Sequence, residues 1–195
     1  MEKNQFYLPL NLPDIRDEIQ PEYIEELLER REKENRELFL GFTEKTIPLT
    51  VTDLFSKLGL TPCTWKINLF TSAPLEKQTI HLDGDPAYTD KFRPFAINWV
   101  WGGRTVMEWY QLQNRDLPAA IEWQEFRYIT FNSTDNLVLA QKTTLTGPTL
   151  VNIRYPHRVV NASKERRFCF SVCSEETMTW EEITDLCRKH GLVRE

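Results

Sequence analysis

The feature that most constrains the fold is a series of short β-prone runs, broken by turn residues, that fills residues 64 to 173. TWKINLFTS, QTIHLD, FAINWVWGG, RTVMEWYQL, FRYITFN, LVLAQKTTL, TLVNIR, HRVV and RRFCFSVC are rich in β-branched and aromatic residues, which suit a pleated, half-buried surface. Between them, Gly102-Gly103, Ser133-Thr134-Asp135-Asn136 and Gly147-Pro148 are hairpin, loop or breaker material. Eight or so strands in about 110 residues fit a sandwich or jelly roll far better than a parallel α/β sheet. The expected fold is mainly β.

Helical patterns flank this core. In PEYIEELLERREKENREL, residues 21 to 38, Tyr23, Ile24, Leu27 and Leu28 recur at helical spacing behind Pro21, and the charged remainder reads as a solvated face. A second helix is expected at TVTDLFSKLGL, with Thr50 or Thr52 as its cap and Gly59 as its stop. Near the other end, TMTWEEITDLCRKHGLV carries a capping-box pattern, Thr179 with Glu182, and Gly191 as a terminator. The reading is one domain over 1–195, with a helical extension over 1–63, a β core over 64–173 and a C-terminal helix over 174–195.

Composition narrows the function classes. A length of 195 residues with 41% hydrophobic content supports one sizeable core, and six Trp and eleven Phe make it aromatic-rich. Trp99, Trp101, Trp109 and Trp123 are read as core or rim residues. A net charge of −5 and a pI near 5.4 give no global attraction for phosphate backbones or anionic lipid, so nucleic acid is not the expected partner. The opening MEKNQFYLPLNLPDIRDE lacks the apolar run of a signal peptide, and no segment approaches the roughly 20 apolar residues of a membrane span. A soluble, cytoplasmic protein is expected. Cys63, Cys169, Cys173 and Cys187 form no C-x-x-C pair and read as reduced, buried thiols.

The chain has three histidines, and QTIHLDGD places one of them next but one to an aspartate. On a strand, His81 and Asp83 project to one side and Leu82 to the other. Non-haem iron(II) oxygenases hold their metal with two histidines and one carboxylate on one face of an octahedron, leaving three positions open. A second histidine is then required. His190 sits at the end of the C-terminal helix, where an imidazole complements the helix dipole. His157 instead opens a strand in the β region and is the expected third ligand.

These residues carry a resemblance. H-x-D, a gap of roughly seventy residues, then PHRVVNASKERR resembles the iron(II)- and 2-oxoglutarate-dependent oxygenase superfamily, and the pairing of HLDG with a following FAIN strand and an EWY run is similar to its small aspartyl/asparaginyl hydroxylase-like and phage or bacterial groups. The likeness covers about residues 64 to 173. It implies a double-stranded β-helix, or cupin-like jelly roll, in which His81, Asp83 and His157 hold Fe(II) as catalytic metal ligands. The implied activity is hydroxylation of a C–H bond of an amino acid, peptide side chain or small metabolite, using dioxygen and releasing succinate and CO2. The cosubstrate 2-oxoglutarate needs a cation for its distal carboxylate, a role that suits the planar fork of arginine. By position after His157 the resemblance offers Arg166 or Arg167.

Alternation favours Arg167. With Arg167 inward, Cys169 and Ser171 also face the cavity and Phe168, Phe170 and Val172 face the helices; with Arg166 inward, the phenylalanines would fill the cavity. The resemblance adds Asn98 and, more weakly, Arg93 as further cosubstrate contacts. Asn161, in phase with His157 and Val159, reads as a residue supporting the site or its turn. GDPAYTDKFRP after Asp83 and QNRDLPAAIEWQEF from residue 113 read as lids over the mouth. Two other classes stay open: a metal-binding cupin working without 2-oxoglutarate, and a catalytically silent jelly-roll binding module.

Overall fold

The computed structural model describes residues 6–34, 39–42, 46–63, 67–83, 94–114, 117–118, 121–123 and 126–194. Its N-terminal part runs β1 (Tyr7–Pro9), α1 (Pro21–Glu34), β2 (Phe39–Gly41) and α2 (Leu49–Leu58). The core strands are β3 (Asn68–Ser72), β4 (Ile80–Leu82), β5 (Phe95–Gly102), β6 (Thr105–Leu112), β7 (Ile121–Trp123), β8 (Phe126–Phe131), β9 (Leu137–Leu145), β10 (Thr149–Asn152), β11 (His157–Asn161) and β12 (Arg167–Val172), followed by α3 (Trp180–Lys189).

The strands form two six-stranded sheets, ordered β1-β10-β5-β12-β3-β2 and β7-β8-β4-β11-β6-β9. All the strand pairs are antiparallel. From β3 to β6, and again from β9 to β12, successive strands alternate between the sheets. That winding is a double-stranded β-helix, with β10-β5-β12-β3 facing β4-β11-β6-β9. β1 and β2 extend one sheet at both edges, while β7 and β8 extend the other beside β4.

Side-chain alternation sorts the core into layers. Leu69, Phe95, Ile97, Trp99, Leu150, Phe170 and Val172 pack away from the lumen, in one cluster with Leu27 of α1, Leu54 and Phe55 of α2 and Ile183 of α3. The opposite faces of the strands meet inside the barrel, where Ala96, Val151 and Cys173 pack with Met107, Trp109 and Val159. The expected outward setting of Phe170 and Val172 is therefore observed, and so is the burial of all four cysteines.

The helices match their signals with one correction. α3 has the full capping box, the Thr179 side chain accepting from the Glu182 N–H and the Glu182 carboxylate accepting from the Thr179 N–H. α2 ends on Gly59 at φ 67, in the left-handed region. Its cap, however, is Pro48 and neither threonine. Thr50 is engaged by Glu18, and Thr52 Oγ1 donates back to the Pro48 carbonyl, so both hydroxyls lie inside a helix that Pro48 already starts. Sequence reading also missed β1, β2 and β7, three-residue edge strands that exist only through their partners, β7 lying inside the segment expected as the second lid.

One end of the barrel is closed by the β5–β6 and β11–β12 turns. A Cβ on Gly102, at φ 75, would stand 2.3 Å from the Arg166 carbonyl oxygen, and one on Gly103 would stand 2.5 Å from Asn161 Oδ1. Asn161 Nδ2 donates to the carbonyls of Ala73 (2.9 Å) and Glu165 (2.6 Å), and its Oδ1 accepts from Ser163. Asn161 thus ties the turn, as its phase suggested. Among the described residues, no helix is long and apolar enough to cross a membrane.

Candidate metal centre

At the other end of the barrel, β4 and β11 lie side by side with His81 directly opposite His157. The register follows from the pattern on β4: Ile80 and Leu82 are buried in the cluster on the outer face of the sheet, which turns His81 inward. The two rings lie 4.6 Å apart between centroids, at 56°. Asp83 follows immediately after β4 and reaches both, Oδ1 at 3.4 Å from His81 Nε2 and Oδ2 at 3.6 Å from His157 Nε2. One ligand atom from each residue lies within 4.8 Å of the others.

Both histidines are oriented in the same way. His81 Nδ1 lies 2.9 Å from the Thr79 carbonyl oxygen, and His157 Nδ1 lies 2.9 Å from that of Tyr155. A carbonyl can only accept, so each Nδ1 carries the hydrogen and each Nε2 is turned to the centre. Burial, followed by the neighbouring His157, lowers the pKa of His81 against the pull of Asp83. Burial also works to lower His157, yet its hydrogen bond and charge attraction to Asp83 prevail and raise it. A divalent ion would replace this proton-sharing arrangement with direct bonds from both Nε2 atoms.

The donor set fits such an ion. Cis ligands at bonds of roughly 2.1 Å stand about 3 Å apart, close to the observed carboxylate–imidazole spacings. Two imidazoles and a carboxylate would supply three ligands to such an ion, fewer than the four of a closed structural site.

Deeper in the lumen lies Arg167, the first residue of β12 and only 2% exposed. Its Nε donates to Thr105 Oγ1 on β6 (2.8 Å) and its Nη1 to Ser72 Oγ on β3 (3.5 Å). The guanidinium therefore bridges the two sheets at the closed end. Among the described residues no carboxylate pairs with it, although a buried cation without an anion carries a penalty of several kcal/mol. Arg166 is half-buried, and its Nη1 is enclosed without a hydrogen-bond partner. Thr105 and Ser72 were not singled out from the sequence; alternation along KINLFTS aligns Ser72 with Asn68 and Phe70, but only the pairing of β3 with β12 shows which face is the lumen.

Asn98 shares the inner face of β5 with Ala96 and Val100, is 8% exposed, and has its Oδ1 buried without a partner. An unpaired buried amide costs about 1–3 kcal/mol. Arg93, residues 84–93 of the first expected lid, and residues 115–116, 119–120 and 124–125 of the second lie outside the described residues. Trp109 lines the lumen beside His157, to which it is paired across β6 and β11, and donates through Nε1 to the Asn152 carbonyl. His190 caps α3 and takes no part in the centre.

No protein-family model matches the chain, and no curated protein matches it. Among solved structures, partial likeness is found to oxalate oxidase in complex with glycolate, at 16% identity and TM-score 0.33 over 60% of this chain and 51% of that one. A cysteine peptidase from Thevetia peruviana latex, peruvianin-I, is similar at 13% identity and TM-score 0.32, over 56% and 50% of the two chains. The capsular polysaccharide assembling protein CapF from Staphylococcus aureus is similar at 12% identity and TM-score 0.29, over 80% and 54%. The chain spans about half the length of each. What the geometry itself establishes is a jelly roll with a His-Asp-His cluster at one mouth of the barrel that can hold a metal ion.

Proposed function

We propose that the protein is an Fe(II)- and 2-oxoglutarate-dependent dioxygenase that hydroxylates a C–H bond of an amino acid, peptide side chain or small metabolite. The observation that carries this reading is the conjunction of the His81–Asp83–His157 cluster with a buried Arg167 in the same lumen that no carboxylate pairs with among the described residues. The cluster alone would suit any metal-binding cupin. Arg167 adds a demand for an anion at depth, which a dicarboxylate spanning the lumen would meet. Counted along β12, the level of the cluster is four residues from Arg167, roughly 13 Å at strand rise, a span that the arginine side chain and a five-carbon dicarboxylate can share.

The parts then divide the work. His81, Asp83 and His157 would hold the iron, which, together with 2-oxoglutarate and dioxygen, supplies the oxidising chemistry and yields succinate and CO2. Arg167, steadied by Thr105 and Ser72, would fix the distal carboxylate by charge-assisted hydrogen bonds. Trp109, fully buried beside His157, keeps bulk water from the inner side of the centre.

Anaerobic addition of Fe(II) and then 2-oxoglutarate tests the reading, since a visible charge-transfer band is expected only when the keto acid chelates the iron. His81→Ala or Asp83→Ala should remove both the band and uncoupled succinate formation. Iron binding without the band would favour the cupin that works without 2-oxoglutarate. No iron binding at all would leave a silent jelly-roll module.

A further inference from the structure

Opposite the metal cluster, the lumen wall carries a row of polar side chains where a jelly roll would ordinarily be apolar. Asn68 on β3 pairs with Ser171 on β12, Ser171 pairs with Asn98 on β5, and Asn98 pairs with Thr149 on β10. All four share the inner face, because their neighbours Leu69, Phe170, Val172, Ile97, Trp99 and Leu150 belong to the helix-facing cluster. The row has the depth of the cluster: β11 and β12 turn back on each other between Asn161 and Arg167, and four residues from that turn lead to His157 on one strand and Ser171 on the other.

The chemistry of the row is specific. Asn98 is more than nine-tenths buried, and its Oδ1 has no partner. Ser171 and Asn68 are half-buried beside it, while Thr149, at the end of the row, donates to the Gly147 carbonyl. A carboxamide shows a donor and an acceptor side by side whichever way it is turned. A carboxylate set against it would bring acceptor to acceptor, and an ammonium donor to donor. The group that satisfies it fully is uncharged and carries its own donor beside an acceptor.

We propose that the Asn68–Ser171–Asn98 row is a subsite for the primary substrate and takes an uncharged amide edge, such as a carboxamide or lactam. Assigning the row to the primary substrate rests on the oxygenase reading; recognition of the amide edge does not. It also removes Asn98 from the cosubstrate, leaving the charged end of that molecule to Arg167.

The test follows side-chain amide resonances of the full-length, 15N-labelled, Zn(II)-loaded protein during addition of acetamide, sodium acetate, methylammonium chloride or 2-oxoglutarate. Acetamide should shift the Asn98 and Asn68 NH2 signals saturably, and Asn98→Leu or the milder Ser171→Ala should weaken that response about fivefold or more, the loss of at least one hydrogen bond. Acetate, methylammonium or 2-oxoglutarate shifting the two signals as strongly as acetamide would overturn the proposal, and so would an acetamide response that neither variant alters. Zinc loading is scored separately on the ring nitrogens of His81 and His157. Its failure would remove the metal reading and leave the acetamide response readable on the metal-free chain.

Discussion

Arg167 is the residue whose environment is hardest to explain by folding alone. A guanidinium removed from water needs an anion or a full set of acceptors, and here its partners among the described residues are the hydroxyls of Thr105 and Ser72 and the thiol of Cys169. Replacing it by an apolar side chain of similar length should therefore leave the empty protein as stable as before, or more so, while removing the cation that a dicarboxylate requires. Arg167→Met is expected to weaken 2-oxoglutarate binding about a hundredfold, the cost of truncating a buried charge pair, with a melting temperature unchanged or raised. Calorimetric titration and thermal melts measure the two effects. Unchanged cosubstrate affinity would transfer the role to Arg166, whose Nη1 is buried without a partner.

At the scale of elements, β11 is held in register by a charged cluster on the outer face of its sheet. Glu108 of β6 accepts from Arg158 Nε and Nη2 at 2.6 Å each, from Lys142 at 2.9 Å and from the Tyr110 hydroxyl at 2.7 Å. Burial works to raise the Glu108 carboxyl, but the hydrogen bonds from Lys142, Tyr110 and Arg158 outweigh it and hold it at about 2, below its ordinary 4.5. A carboxyl lowered on folding contributes stability that is complete above about 4.5 and is lost as the pH falls through about 2. Acid melts from pH 5 to pH 2 should therefore show a loss on the order of 2 kcal/mol from this group, after discounting for the exposed Lys142, and Glu108→Gln should flatten that slope. An equal slope in the variant would place the acid sensitivity elsewhere. The same strands show what the sequence could and could not reveal. Runs of β-branched and aromatic residues identified β4, β5, β6, β11 and β12, and the helix caps were readable from Thr179, Glu182 and Gly59 because such signals are local. β1, β2 and β7 were not readable, since three residues carry no period, and the Pro48 cap was hidden behind two better-looking threonines.

For the whole molecule, the site is an outcome of topology. His81 and His157 are 76 positions apart in number, and they meet because β4 and β11 are neighbours in the same sheet. The histidines and the aspartate were legible as a motif, since the chain has only three histidines and one of them stands next but one to an aspartate. Ser72, Thr105 and Asn68 were not, since hydroxyls and amides are common and acquire meaning only when register turns them into the lumen. A metal held by residues from two distant strands binds the folded chain and not the unfolded one, so mass action must stabilise the fold. Zinc or ferrous ion at about one hundred times its dissociation constant should add roughly 2.7 kcal/mol, which for a chain of this length raises the melting temperature by about 5–10 °C. Chelation should reverse the gain, and His157→Ala, whatever the cavity it leaves costs the metal-free melt, should abolish the metal-induced rise, because it removes one of the three ligands. An equal metal-induced rise in His157→Ala would mean that the ion is held elsewhere, and the three residues at the barrel mouth would then be polar neighbours without a shared ligand.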